Sequence, residues 1–326
     1  MISAGPPGRT ALPDRRATPG AVADLVAAAA LWGGMYVVSA ATFAQIPPLT
    51  LAVLRLAVGA ATLAIALRGR LGFGAAPAGR VVAAGAVVAF TIVLQFVGTS
   101  LTGGAEGAVL TTTTPAFVLV FGVALEGQRI RAAGWAGVAV ALAGVTILAA
   151  RNGSLVAPSG HGWGPLAGDL LLVASAAAWA LFSSVGRPLV ERVGAFRAIL
   201  QASCVAIVLL VPLVPLELAG RPLPALKPAT VGAVLYLGVA ATAFAWSLWY
   251  RGYAAAPATV SAAAFFAQPV VGAALGVALL GEVLGAAFFG GAVLVGLGVL
   301  LIAAAGPVPR SERQGAGPAA PVAGAG

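Results

Sequence analysis

The chain has 326 residues, of which 60% are hydrophobic and only 8% are charged, and its formal net charge at pH 7 is +9. Apolar runs of about 20 residues, the length that crosses a bilayer as a helix, fill most of the chain, which excludes a soluble domain and the short alternating runs of a β-barrel. One cysteine and one histidine exclude an intramolecular disulfide framework and a multi-histidine metal site.

Apolar spans separated by turn residues predict an all-α membrane protein with ten transmembrane helices. The segments 1–20 and 306–326 are rich in proline, glycine, alanine and arginine. They are predicted to be disordered cytoplasmic tails. The spans are predicted near 22–44, 48–67, 80–99, 104–125, 131–150, 165–186, 195–216, 230–250, 258–280 and 284–304.

An internal repeat divides the chain into two related halves. Residues 107–150 align without a gap on residues 261–304, and 14 of the 44 positions are identical. Each copy has a proline within an apolar run, then a short glycine-containing turn, then a second glycine-rich apolar run. Two five-helix repeats are therefore predicted at 21–150 and 164–305, joined by an outer linker at 151–163.

The distribution of basic residues predicts the orientation in the membrane. With the N-terminus in the cytoplasm, 14 of the 18 basic residues fall on the cytoplasmic side, three fall outside, and Arg55 lies within a span. This bias matches the positive-inside rule and places both termini in the cytoplasm. Because each repeat has an odd number of spans, the two repeats are predicted to be inverted relative to each other, which is typical of secondary transporters.

Several segments in both halves carry a recognisable pattern. They are Ala-Leu-Trp-Gly (30–33), Arg55 and 113–129 in the first half, and Trp179, 248–262 and 268–282 in the second. With these segments the two halves resemble the EamA domains of the drug/metabolite transporter superfamily, over about 21–305. The resemblance implies a ten-helix carrier of the cell (inner or plasma) membrane, typically an exporter of amino acids or other small metabolites.

The first half departs from this family pattern after its proline-containing span. The second half has the expected Gly281-Glu282, whereas the first half has Gly127-Gln128. A role that requires a carboxylate at position 128 is therefore not expected here.

Polar, aromatic and proline residues within the spans are the candidates for a substrate pathway. Pro115 and Pro269 are predicted helix kinks, since each removes a backbone hydrogen bond. On the fourth span Thr111 and Thr114 share a face, and on the ninth Phe265 and Gln268 do, so that a hydroxyl face would meet an aromatic–amide face. The predicted pathway residues are Trp32, Tyr36, Arg55, Gln95, Thr111, Thr114, Trp179, Ser183, Trp246, Phe265 and Gln268.

Structural roles are the alternative for several polar and aromatic residues. The threonines are also suited to bonding one helix to another, and Trp249, Tyr250 and Tyr253 are suited to the aromatic belt of a membrane interface. Arg55 is predicted either to form an ion pair with Glu106 or to hold a substrate carboxylate, since charges within a membrane are usually functional.

The predicted function is a secondary transporter of amino-acid-like or amphipathic metabolites, acting as an exporter by alternating access. A channel or a non-transporting membrane scaffold is the alternative, and an intramembrane enzyme would need a nucleophile–base pair or metal ligands that the spans lack. We expect no cofactor and no metal. The expected partners are a small-molecule substrate and the lipid bilayer, not nucleic acid, and a homodimer is left open. No carboxylate or histidine that could act as a proton carrier is predicted at the midplane, which favours facilitated diffusion or exchange over proton coupling.

The predicted topology can be tested by cysteine accessibility. Single cysteines at Ser159 and Ser311, in a Cys204→Ser background, are expected to differ in their reaction with an impermeant thiol reagent on intact cells. Position 159 should be labelled because it is predicted to lie outside, and position 311 should be protected. The opposite pattern would contradict the inverted arrangement.

Overall fold

A computed structural model describes residues 18–126, 130–151, 164–220, 227–256 and 258–305. Its regular secondary structure is helical. The predicted tails and the outer linker lie largely outside these residues. The helices of the first half are α1 (Pro19–Thr42), α2 (Pro48–Ala66), α3 (Ala78–Thr102), α4 (Gly104–Thr111), α5 (Thr114–Glu126) and α6 (Ala132–Arg151).

The helices of the second half are more often interrupted. A short 3₁₀ turn, Val211–Leu213, and two π-helical segments, Tyr236–Phe244 and Gly276–Leu280, interrupt its α-helices. The α-helices are α7 (Gly164–Val185), α8 (Arg187–Val193), α9 (Ala195–Leu210), α10 (Val214–Leu218), α11 (Pro228–Leu235), α12 (Ala245–Ala255), α13 (Ala258–Ala264), α14 (Ala267–Leu275) and α15 (Ala286–Ala305).

Within the described residues, nine helical stretches are long and apolar enough to cross a membrane. They correspond to every predicted span except the ninth, of which only Ala267–Leu280 forms a continuous apolar helix. The predicted all-helical membrane fold is confirmed, but the fourth and ninth spans are not the single helices expected. Each is divided by two residues directly before its proline-containing helix, Thr112–Thr113 before α5 with Pro115, and Phe265–Phe266 before Ala267–Leu275 with Pro269.

Prolines and glycines set several of the helix ends. Pro19, Pro48 and Pro228 occupy the first helical position, where a missing N–H is no loss. Thr18 caps α1 by accepting a hydrogen bond from the Ala21 N–H at 3.2 Å. Gly281, with φ of 65°, ends the π-helical segment after α14 and turns the chain toward α15.

The last helices of the two halves, α6 and α15, pack against each other through repeat-equivalent glycines. A Cβ on Gly144 would lie 2.6 Å from the Gly291 carbonyl oxygen, and a Cβ on Gly137 would lie 2.7 Å from that of Gly298. In the sequence repeat Gly137 corresponds to Gly291 and Gly144 to Gly298. The reciprocal pairing therefore runs the two helices antiparallel, as a pseudo-two-fold axis requires.

Most other helices also find their main neighbours in the opposite half. Helix α3 packs on α7 and α9, α1 packs on α12 and α14, α2 packs on the π-helical segment after α11, and α4 packs on α14. The interior between the repeats is thus built by both halves, and this is where a shared site can form.

Two adjacent glycines of α15 test the close packing of α6 and α15. Gly291→Ala is expected to lower the free energy of unfolding by about 1–3 kcal/mol, as overpacked sites do, because its Cβ would lie 2.9 Å from the Gly144 carbonyl oxygen. Gly290→Ala is the matched control, since nothing lies within 4 Å of a Cβ there. Thermal unfolding in detergent measures both variants. Equal stability of the two would contradict the packing described.

Candidate functional site

A π-helical segment, Tyr236–Phe244, forms one wall of the interior between the repeats. The wider turn leaves backbone carbonyls available to side chains. The indole Nε1 of Trp32 donates to the Ala241 carbonyl at 3.1 Å, and the Thr242 hydroxyl donates to the Leu237 carbonyl at 2.8 Å. Gly59 of α2 fits against Thr242, since a Cβ there would lie 2.7 Å from the Thr242 methyl carbon. This fit brings α2 close to the segment.

Arg55 of α2 lies at this wall and is only 3% exposed. Its Nε donates to the Thr242 hydroxyl at 2.9 Å, and its Nη1 donates to the Gln95 side-chain oxygen at 3.2 Å. The Gln95 amide in turn donates to the Tyr36 hydroxyl at 2.7 Å, and the Phe96 ring lies 5.6 Å from the guanidinium carbon. The network joins three helices of the first half to the second half and contains one formal charge.

Aromatic side chains from both halves form a cluster beside this network. The Trp246 ring centroid lies 4.8 Å from that of Trp179 and 5.5 Å from that of Trp32. Trp249 lies 5.3 Å from Trp32 and 4.6 Å from Phe265. These separations suit edge-to-face and offset contacts. Trp32 and Trp179, from the first helix of each half, both touch Trp246, so the cluster spans the repeat boundary.

A cavity of about 20 Å³ lies where the network and the aromatic cluster meet. This volume accommodates one water molecule. The wall carries one cation, two hydroxyls and otherwise apolar groups. It is formed by Arg55, Leu56, Val88, Ile92, Trp179, Phe182, Ile199, Ser203, Thr242 and Trp246.

The interrupted helices of the fourth and ninth spans meet at a second polar contact. The Gln268 amide nitrogen lies 2.8 Å from the Ala108 carbonyl oxygen and 3.0 Å from the Thr111 hydroxyl. Thr114 donates to the Thr111 carbonyl at 2.8 Å, which satisfies the group that Pro115 leaves without its N–H partner. The hydroxyl face and the amide face predicted from the sequence therefore do meet. In this conformation they bind α14 to α4 and do not line the cavity.

The structure brings most of the predicted pathway residues together in two groups. Trp32, Tyr36, Gln95 and Phe265 lie in the network or the aromatic cluster, with Arg55, Trp179 and Trp246 at the cavity wall. Thr111 and Gln268 form the α4–α14 contact, and Thr114 lies beside it, bonded to the Thr111 carbonyl. The Ser183 side chain lies outside the described residues.

Three contributions to the site were missed or interpreted differently from the sequence. Thr242 and Ser203 were not singled out, although each is a lone hydroxyl in an apolar run. Trp249 was assigned to the interface belt but contacts Trp32 and Phe265. Among the described residues, Arg55 bonds to Thr242 and Gln95, and the alternative of an ion pair with Glu106 is not formed.

Two carboxylates of the second half cap helices of the first half. Glu217 accepts from the backbone N–H groups of Leu49 and Thr50 at 2.9 and 2.7 Å, at the start of α2. Glu282 accepts from those of Gly104 and Ala105 at 2.8 and 3.0 Å, at the start of α4. A helix N-terminus presents unpaired N–H donors and a positive dipole end, so a carboxylate is well placed there.

At the opposite end of the bundle an ion pair joins the halves. Arg251 donates from Nε and Nη2 to the two Asp24 oxygens, both at 2.6 Å, and the Arg251 side chain is 69% exposed. Both ends of the interior are therefore bridged across the repeat boundary. Among the described residues, no group of three His, Cys, Asp or Glu side chains could hold a metal ion.

Comparison with known proteins gives a family match to both halves. The EamA-like transporter family matches residues 21–150 and 166–304. The uncharacterized inner membrane transporter YedA of Escherichia coli K12 is 31% identical over 268 residues, covering 78% of this chain and 81% of YedA. The uncharacterized transporter YwfM of Bacillus subtilis is 26% identical over 222 residues, covering 68% of this chain and 70% of YwfM.

Two further similarities concern a part of the chain and its fold. The putative permease-like protein YdzE of Bacillus subtilis is 44% identical over 68 residues, which is 21% of this chain and 87% of YdzE. A solved crystal structure matches with a TM-score of 0.63 at 21% identity, covering 86% of this chain and 94% of the solved one. At that identity the likeness establishes the fold alone.

The capping role of Glu282 predicts a stability difference between two neighbouring residues. Glu282→Ala removes the acceptor for two N–H groups and is expected to lower the free energy of unfolding by about 1–3 kcal/mol. Val283→Ala is the matched control, because Val283 is 90% exposed. Thermal unfolding in detergent compares them, and an unchanged midpoint for Glu282→Ala would rule out a stabilising cap.

Proposed function

Because the chain belongs to the EamA-like transporter family, we propose that this multi-pass membrane protein is a secondary transporter that exports small amphipathic metabolites by alternating access. The observation that carries the proposal is the position of the polar–aromatic site. Arg55, Trp179, Thr242 and Trp246 come from both halves and meet at one cavity between them. In transporters built from inverted repeats, the substrate binds at the interface of the repeats.

The chemistry of the site supports binding. Guanidinium, amide and hydroxyl groups offer hydrogen bonds, and the Trp179 and Trp246 rings offer flat apolar surfaces beside them. A ligand with one polar end and an apolar body would use both kinds of group at once. This supports the amphipathic class of substrate expected from the sequence.

The contacts at the two ends of the interior support alternating access. Glu217 and Glu282 bridge the halves at the end predicted to face outside, and Asp24 and Arg251 bridge them at the end predicted to face the cytoplasm. Rocking one half against the other would release one set while keeping the other. Both sets are formed here and the cavity accommodates one water, which supports a closed conformation between the two open ones.

A channel and a non-transporting scaffold are the competing functions. A carrier exposes its site to one side at a time, so labelled substrate outside proteoliposomes is drawn in by unlabelled substrate within. A channel gives no such counterflow and a scaffold gives no flux. Counterflow with a panel of radiolabelled amino acids and nucleobase-like metabolites therefore separates the three functions.

Gln268→Ala tests whether the α4–α14 contact takes part in transport. The variant is expected to reduce counterflow severalfold while expression and unfolding stay near those of the wild type, because the amide bridges the two halves next to a helix break. Thr146→Ala is the control, since this hydroxyl of α6 is exposed and donates to the Leu142 carbonyl of its own helix. Normal counterflow, or a failure to fold, would remove Gln268 from the pathway.

A further inference from the structure

We propose that the substrate is an organic monoanion with an apolar or aromatic body, whose carboxylate or sulfonate binds Arg55, and that zwitterions are selected against. This inference rests on the transport function proposed above and narrows its substrate class. It follows from the partners of Arg55 and from the chemistry of the cavity wall.

Arg55 is a buried cation with neutral partners. A guanidinium has five N–H donors, of which Nε is used by Thr242 and one on Nη1 by Gln95. Within the described residues, Nη2 has no hydrogen-bond partner. Burying a charge without an opposite charge is unfavourable, and within a membrane such groups are usually functional. A bound oxyanion would supply both the missing charge and the missing acceptors, in the forked geometry that guanidinium favours.

The cavity wall offers an anion a partner but offers a cation none of opposite charge. Beyond Arg55 its polar groups are the hydroxyls of Ser203 and Thr242, and no carboxylate is among the lining residues. Trp179 and Trp246 could attract an ammonium group by their ring faces. The Arg55 charge beside them opposes this, because like charges repel strongly at low dielectric. A zwitterion would therefore leave its ammonium group uncompensated.

The rest of the wall is apolar and aromatic, and it suits the body of the ligand. The Trp179 ring lies against those of Trp246 and Phe182, with centroids 4.8 and 5.6 Å away. The present volume of about 20 Å³ is too small for such a body. Binding must therefore widen the cavity, and the ligand's interactions with Arg55 and the rings would favour that wider state.

The charge of the substrate also determines what drives export. A monoanion is expelled by an inside-negative membrane potential, and each 100 mV favours the outside concentration about 50-fold. No proton carrier is then required, in agreement with the expectation that no carboxylate or histidine carries protons at the midplane.

Binding to the full-length protein in detergent, followed by tryptophan fluorescence, tests selectivity with four ligands that each carry a phenyl ring on a short alkyl chain. They are 3-phenylpropanesulfonate (anion), phenylalanine (zwitterion), 3-phenylpropanamide (neutral) and 3-phenylpropylamine (cation). The sulfonate is expected to bind at least about tenfold more tightly than each of the others, the ratio of one strong charge-assisted contact. A smaller preference, or no binding of the sulfonate, would overturn the inference.

Variants of Arg55 identify the group responsible for the selectivity. Arg55→Gln should abolish the preference for sulfonate over amide, and Arg55→Lys should keep part of it because the charge remains. Arg80→Gln is the matched control, since Arg80 is exposed at the start of α3, and it should bind as the wild type does. Retention of the full preference in a folded Arg55→Gln would overturn the assignment to Arg55.

A flux measurement on the wild type does not depend on whether any variant folds. Proteoliposomes with an imposed inside-positive potassium diffusion potential of about 100 mV should accumulate labelled 3-phenylpropanesulfonate, and collapse of the potential should release it. No accumulation would overturn the inference. Counterflow of any neutral or zwitterionic compound in the same vesicles would leave the proposed transport function intact, so the two failures can be told apart.

Discussion

Gly137 and Gly144 of α6 approach Gly298 and Gly291 of α15 so closely that a methyl group at any of the four would strike the opposite backbone. Lipid provides no hydrophobic force that presses helices together, so membrane helices associate through such close contacts. Because the pairs are exchanged by the internal repeat, the contact sets an approximate two-fold relation between the halves. The other contacts between the halves follow from this relation, including those that place α1 beside α12 and α3 beside α7.

A symmetric scaffold here holds an asymmetric set of polar groups. Trp32 and Trp179 come from the first helix of each half and both reach Trp246. The guanidinium of Arg55 comes from the first half alone, and the hydroxyls of Ser203 and Thr242 come from the second. The two repeats therefore enclose the site symmetrically. The polar residues that differ between the repeats determine how a polar ligand is oriented in it.

Sequence patterns predicted the parts of this structure that depend on local composition. The helical spans follow from apolar run length, and the meeting of Gln268 with Thr111 follows from helical spacing combined with the repeat. The partners of Arg55 could not be predicted, because they depend on which helices of the two halves become neighbours. The capping by Glu217 and Glu282 was missed for the same reason, since each joins residues about 170 positions apart. The break in the ninth span at Phe265–Phe266 lies directly before the helical turn that contains Pro269. The proline indicates that a break occurs there, but the length of the break depends on packing.

The π-helical segment from Tyr236 to Phe244 also sets the rotational phase of everything that follows it in the same span. Each residue of an α-helix advances by about 100°, and the wider turns of a π-helix advance by less. Trp246 and Trp249 therefore face inward through the hydrogen-bond register of the residues before them, and not through their distance along the chain. Loss of a single residue from the segment would turn the indole rings toward other neighbours, even though the composition and length of the span would hardly change.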